Sequence, residues 1–303
     1  MDVRQLEMFR AVVEEGTFTR AAERLHVSQS AISRQLQLLE HELKTLLLHR
    51  TARGVTLTPD GEVLLSMAKR IDGEIQDAVS QISGARELQH GLVSLGGGMT
   101  VALNIFPKLL KKFRSLYKNV DLRITTGEAD VLLRLLRTRQ VDLALLTLPI
   151  VAADLEVRTV LKEEMVVITA ANHALSRERT IDAKKLARYP FVLFESGSNT
   201  RKVLDDFFRE EEIPVKVVMQ TENVEIIKAM VANGLGITIL PFPAVAAELR
   251  HGRFAWARVR ARRLYRETGW VYLKSEYLPR AVTEVLRVFD EMKHQFGGKP
   301  PGR

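Results

Sequence analysis

Gln29, Ser30, Ser33, Arg34 and Gln37 recur at spacings that put them on one side of a helix. Their amide, hydroxyl and guanidinium groups are the ones that read base edges or hold phosphates. Ser28 is a natural N-cap for that helix, which is predicted to run to about residue 43, and Ala31, Ile32, Leu36 and Leu39 give it a buried side. Two helices are predicted ahead of it. The first, over 3–15, has an apolar face of Leu6, Phe9, Val12 and Val13 and ends at Gly16. The second, over 20–25, is capped by Thr17 or Thr19 and carries Arg20 at its start. His26 and Val27 make the turn into the third, and small Ala21 and Ala22 allow close approach. This is a helix-turn-helix pattern. A polar solvated face has the same composition, so spacing alone leaves both readings open.

Residues 46–58 follow as LLLHRTARGVTLT, with a hairpin turn at 51–54 between short strands over 47–50 and 55–57. Such a hairpin is a wing; Arg50 and Arg53 lie on it, and Arg53 at its tip can reach a minor groove or stay in solvent. Thr58 and Pro59 then start a long helix, with Leu64, Ala68, Ile71, Ile75, Val79 and Ile82 in steps of three and four. So narrow a stripe suits a two-helix seam with a second copy, or packing onto the chain's own domains.

From residue 91, strand and helix alternate in two sets, which implies two Rossmann-like α/β subdomains with a parallel sheet and a cleft between them. The expected domains are 1–58, 59–90 and 91–296. Subdomain I spans about 91–163 and 267–296, subdomain II about 164–266, and a Gly/Pro-rich tail over 297–303 is expected to be disordered. Segments after strands are the usual ligand sites of open α/β sheets. Here they supply Met99, Thr100, Glu128, Thr147, Pro149, Glu195, Ser196, Ser198, Asn199, Thr200 and Asn223 as candidates. Ser198 and Asn199 can equally serve as plain caps. Arg201 can pair with an anionic ligand but reads better as a surface arginine. Glu128 and Glu195 instead favour an amine or a polyol.

The seven histidines are scattered without metal-binding spacing, cysteine is absent, and no phosphate loop or nucleophile elbow is present. No catalytic residue, metal or cofactor is assigned. The amino terminus carries charges through its apolar positions and is not read as an export leader, and no run of about 18 apolar residues implies a membrane span. A solute-binding receptor suits residues 91–296 taken alone, but the fused helix-turn-helix argues against it. A catalytic α/β domain is the third reading.

The run AAERLHVSQSAISRQL within residues 16–43 resembles the recognition unit of the LysR-type transcriptional regulators. RTARGVTLTPDG, from Arg50 to Gly61, resembles their wing and linker-helix start. FPKLLKKFRSLYKNVDLRI with VDLALL, and GLGITILP, resemble parts of their effector domain. The resemblance covers nearly the whole chain. It implies an N-terminal winged helix-turn-helix, a long linker helix and a type 2 periplasmic-binding-protein-like effector domain. It also implies a bacterial, cytoplasmic homodimer, in some cases a homotetramer, on a palindromic double-stranded operator, with RNA polymerase as a partner and a small-molecule effector in the cleft. Three positions depart from the pattern. Ser30 replaces a frequent Pro, Leu48 replaces Phe in the wing, and Lys44 replaces a helix-ending Gly, which is expected to lengthen the recognition helix or change the wing entry.

The net charge of +8 hints at an acidic partner, but its placement is uneven. Residues 1–90 hold 11 basic side chains against 13 acidic ones, and residues 91–303 hold 34 against 24. The excess concentrates at Arg250, Arg253, Arg258, Arg260, Arg262, Arg263 and Arg266, which reads as a solvated or subunit-contacting face, with an anionic partner or an auxiliary DNA contact as the other reading. Arg34, Arg50 and Arg53, by their local placement, are therefore the sharper indication of nucleic acid. Replacing Arg34 or Ser33 with Ala is expected to cost about 1–3 kcal/mol in DNA binding and to relax specificity at one base pair; unchanged gel shifts for both variants would remove them from the interface.

Overall fold

The computed structural model describes residues 1–51, 54–83, 91–260, 263–275, 278–298 and 300. Two compact units divide the chain, one built mainly from residues 1–92 and the other from most of the remainder.

The first unit opens with α1 (Val3–Glu15), whose N-cap Asp2 and residue Gln5 form a reciprocal capping box. Gly16 ends it in the left-handed region at φ 71°. Helix α2 (Phe18–Leu25) starts two residues earlier than expected because Thr17 caps it, accepting from the Arg20 N–H. Helix α3 (Gln29–Leu43) begins at Ser28, whose Oγ accepts from the Ala31 N–H at 3.1 Å. Phe9, Val12, Ala21, Ile32, Leu36 and Leu39 close the three-helix core. Helix α3 is not lengthened by Lys44. That residue itself adopts the left-handed conformation, φ 54°, and its N–H donates to Glu40 and His41 carbonyls. Main-chain bonding thus ends the helix where the absent glycine would have done so, at the steric cost a Cβ bears there.

Strands β1 (Leu48–Thr51) and β2 (Gly54–Leu57) form the antiparallel wing. It is tied down at both ends. The Glu40 carboxylate accepts from the N–H groups of Leu47 and Leu48, and the Val55 N–H donates to the Gly16 carbonyl. Helix α4 (Pro59–Ser83) is capped by Thr58, which accepts from the Gly61 N–H at 3.0 Å. Leu64 and Leu65 pack on the three-helix core, and Arg10 of α1 pairs with Asp72 at 2.6 Å.

The second unit contains β3 (Gly91–Gly97), α5 (Met99–Asn104), α6 (Phe106–Leu116), β4 (Val120–Thr126), α7 (Ala129–Arg137) and β5 (Leu143–Thr147). The amphipathic stretch over 102–117 is divided between two helices, broken at Ile105 before Pro107, whose ring cannot continue a helix without a break. Next come β6 (Leu155–Ala170), β7 (Thr180–Ile181), α8 (Ala183–Leu186), β8 (Pro190–Leu193), α9 (Asn199–Glu210), β9 (Lys216–Gln220), α10 (Val224–Ala232) and β10 (Thr238–Pro241). The chain closes with α11 (Ala246–Arg250), β11 (Phe254–Val259), β12 (Leu264–Leu273) and α12 (Arg280–Met292).

The main sheet runs β4-β3-β5-β12-β6-β11-β7, with β10 also on β6, while β8 and β9 pair separately. It is mixed rather than parallel. β3–β5 and β8–β9 are parallel, whereas β6 is antiparallel to β10, β11 and β12. β6 and β12 are the long elements, and both run through the expected subdomain boundary without a break. Leu155 to Leu161 on β6 joins the half that contains β3–β5, and Met165 to Ala170 joins the half that contains β8–β11. The two halves have cores of their own, around Leu132, Val141 and Val271 in one and around Phe191, Leu204 and Ile239 in the other.

Gly61 shows how tightly the wing base is packed. A Cβ there would lie 2.1 Å from the Leu47 carbonyl oxygen, a backbone atom that cannot step aside. Gly61→Ala is therefore expected to destabilise the first unit by about 1–3 kcal/mol, the range of overpacking. An unchanged thermal midpoint would show that the wing base yields at little cost.

Candidate functional site

The first candidate surface is the outer face of α3. Arg20, Ser28, Gln29, Ser30, Arg34 and Gln37 are exposed, and Ser33 is half-buried. Ser28 and Ser30 hydroxyls lie 3.1 Å apart, so part of the hydroxyl chemistry is spent on the helix start. Arg53 and the side chains of Arg50 and Ile82 lie outside the described residues. Along α4, Ala68 is buried and Leu64 and Ile71 half-buried, while Ile75 and Val79 are 36% and 54% exposed. The stripe expected as one seam therefore divides. Its start packs on its own unit and its later part is uncovered.

The second site is a pocket in the other unit, where β3, β5 and β12 end against α9. Its cavity volume is about 90 Å³, and it opens to solvent at its mouth. Met99, Thr100, Glu128, Thr147, Ser198, Asn199 and Thr200 all line it, as the sequence leads one to expect. Gly98 caps α5 without a side-chain bond, and Ser198 caps α9 by accepting from the Arg201 N–H.

Thr147 and Thr200 hydroxyls meet at 3.3 Å, and the Asn199 amide donates to the carbonyls of Thr147 at 2.7 Å and Pro149 at 3.4 Å. The Leu148–Pro149 peptide bond between them is cis. Pro149 thus serves through its carbonyl and does not line the pocket. Nor do Glu195, Ser196 or Asn223. Ser196 donates from N and Oγ to Gln220, and Asn223 caps α10.

Two arginines differ from the sequence reading. Arg201 is not a surface residue. It is 9% exposed, and its guanidinium bonds Asp205, the Phe194 carbonyl and Gln220, pinning the segment after β8. Arg266 does not belong to a solvated face. It is 2% exposed at the pocket wall, donates from Nε and Nη2 to Glu163 at 3.1 and 2.7 Å, and from Nη1 to Thr200 at 3.2 Å. Thr268 adds a third donor to the same Glu163 oxygen. The pocket thus holds a buried guanidinium already neutralised by a carboxylate. Glu163 lies 103 positions before Arg266, and no local sequence pattern marks so distant a partner.

Carboxylate oxygens of Glu128 and Glu222, which line the pocket, and of Glu195 lie within 4.8 Å of one another. Oxygen donors of this kind suit a hard cation, and nothing else among the described residues points to one. Glu222 is not among the candidates singled out in the sequence; its carboxyl is pushed above the ordinary value by desolvation and then by the charges of Glu128 and Glu195.

Residues 3–62 match the family model described as a bacterial regulatory helix-turn-helix protein of the lysR family, and residues 86–293 match the LysR substrate binding domain. The chain belongs to the LysR family of transcriptional regulators. This LysR protein is 33% identical to the regulator CfxR of Cupriavidus necator, over 100% of this chain and 97% of that one. It is 30% identical to the activator CmpR of Synechocystis, over 90% of each. Among solved structures, a mutant OxyR of Corynebacterium glutamicum with hydrogen peroxide bound shares the fold at a TM-score of 0.69 with 26% identity, covering 97% of this chain and 94% of that one. Like other LysR proteins, it is a non-enzymatic transcriptional regulator that joins a helix-turn-helix domain to an effector-binding domain. No helix among the described residues is long and apolar enough to cross a membrane.

The raised Glu222 carboxyl fixes the sign of a pH effect. Its stabilising contribution is present below the ordinary carboxylate range and is lost as pH rises through the raised value. Glu222→Gln is thus expected to melt higher than wild type at neutral pH, with the gap closing on acidification. A gap independent of pH would mean that the three carboxylates do not interact.

Proposed function

We propose that this LysR regulator senses a small, uncharged polyhydroxylated or amine-bearing metabolite in the pocket at the ends of β3, β5 and β12. The pocket itself is the observation that carries the reading. Hydroxyls of Thr100, Thr147, Ser198 and Thr200 and the Asn199 amide supply hydrogen bonds, and Leu145, Leu146 and Phe194 supply apolar wall. The buried cation is already paired with Glu163, whereas Glu128 and Glu222 on the wall meet no lysine or arginine among the described ion pairs. A free anion would face carboxylates with little to offset them.

The remaining parts extend the reading. Gln29, Ser33, Arg34 and Gln37 read the operator, and Arg20, Ser28 and Ser30 hold its backbone. Exposed Ile75 and Val79 on α4 form the seam with a second copy, which sets two recognition helices on a palindromic site. A regulator of this kind works beside the chromosome and RNA polymerase, in the cytoplasm.

Effector binding shifts operator affinity only if the ligand prefers one arrangement of the assembly. A thermal-shift screen of neutral sugars, polyols, amines and organic acids identifies the ligand class by mass-action stabilisation. Thr100→Val is expected to leave operator binding intact and to weaken the ligand-dependent change in it by roughly tenfold, the equivalent of one hydrogen bond. Retention of the full ligand response would remove Thr100 from the site.

A further inference from the structure

The end of the chain is rich in Gly and Pro, a composition that suggests disorder, yet Gly297, Gly298 and Pro300 make defined contacts. The segment starts from one half of the second unit. Trp270 of β12 meets Phe289 of α12 edge-on at 5.3 Å, and Phe296 stacks on Phe289 at 5.3 Å with the ring planes 19° apart. All three rings are buried. The backbone then passes Leu161, in the part of β6 that belongs to this same half. A Cβ built on Gly297 would stand 4.0 Å from the Leu161 Cδ2.

One residue later the chain has reached the other half. A Cβ on Gly298 would stand 3.9 Å from Pro243 and 4.0 Å from Phe242, and Phe242 belongs to the core of Val166, Val192 and Leu240. Pro300 is buried, and its carbonyl accepts from Nη2 of Arg258 at 3.3 Å. Arg258 stands where the basic excursion leaves β11 for β12, and its guanidinium is fixed in place. Nε donates to Glu164 at 2.6 Å, the group lies over the Trp256 ring at 5.3 Å, and Trp256 meets Phe242 edge-on at 5.6 Å. Glu164 is buried, so Arg258 cannot swing away without leaving a buried charge unpaired. The donor that receives the Pro300 carbonyl is therefore set in advance by the second half.

We propose that the segment 296–300 is a strap that ties the two halves of the effector-binding domain together and limits how far the pocket between them opens. β6 and β12 carry the chain through both halves, and a strand pair bends more readily than it stretches. Contacts displaced from that pair must lengthen when the halves rotate about it, so a third crossing restrains the rotation. The pocket takes Thr100 and Thr147 from one half and Phe194 and Asn199 from the other, and none of its lining residues belongs to the strap. The strap thus acts on the opening and not on the ligand. Its hold on the second half is one hydrogen bond from a charged donor and one buried proline ring, a grip that can release without unfolding either half.

The test follows hydrogen exchange without ligand, so its outcome does not depend on which metabolite the pocket takes. It compares the wild-type chain, a chain ending at Gly297, and the full-length variant Pro300→Lys, which sets a like charge beside Arg258. Both variants are expected to exchange roughly fivefold faster than wild type at 127–132 and 194–201, the equivalent of one net hydrogen bond. These segments border the pocket from opposite halves and make no hydrogen bond or ring contact with the strap among the described residues. The first unit and α12 are expected to keep wild-type exchange. Acceleration confined to 242–243 and 254–258 would make the tail a local cover, and acceleration spread evenly through the second unit would make it an ordinary part of the core. Either result overturns the proposal, as does wild-type exchange at 127–132 and 194–201 in one or both variants.

Discussion

The pairing of β6 with β12 is the constraint on which the second unit depends. The two strands run antiparallel for ten partnered residues, with one register shift between Thr268 and Gly269, and each belongs to both halves of the sheet. The halves therefore share a spine rather than a flexible linker. At the middle of that spine, consecutive residues Glu163 and Glu164 face opposite sides and hold different arginines. Glu163 takes Arg266 at the pocket wall, and Glu164 takes Arg258 at the base of the basic excursion. A buried pair of this kind is poor evidence of net stability, but losing one partner leaves an uncompensated charge. Its role here is positional. It fixes how β12 enters the pocket and keeps the guanidinium aimed at Thr200 across it.

The same logic of anchored backbone governs the first unit. Its wing is short and makes only four partner pairs, too few to hold a hairpin in place alone. The Glu40 carboxylate, the Gly16 carbonyl and the Thr58 hydroxyl fix it through bonds to main-chain groups, and on the recognition face of α3 Ser28 and Ser30 are engaged at the helix start. The structural bonds and the candidate base-reading groups thus use different sides of one helix.

What could be read from the sequence followed from locality. The helix-turn-helix was legible because its caps, small residues and apolar face all fall within thirty positions, and seven of the eleven pocket candidates were legible because loops after strands converge in this type of sheet. Helix α3 ended on time despite Lys44, since main-chain bonding can hold a residue in the left-handed region where no glycine stands. β6 runs unbroken from an alternating half with Glu156, Arg158 and Lys162 into a buried apolar half, and β11 carries an inward row of Phe254, Ala257 and Val259 between polar positions. The burial of Arg266 and Arg201 was illegible because it depends on Glu163, Phe194 and Gln220, which only the fold brings near.

The pocket draws its walls from both halves of a shared spine, so the proposed ligand would contact both. Hydrogen exchange of the full-length protein, with and without a ligand found by thermal shift, tests this most directly. The account predicts added protection in three separated segments, 97–101, 194–201 and 264–268, in the same ligand-bound state. Protection confined to one of them, or appearing only outside them, would contradict it.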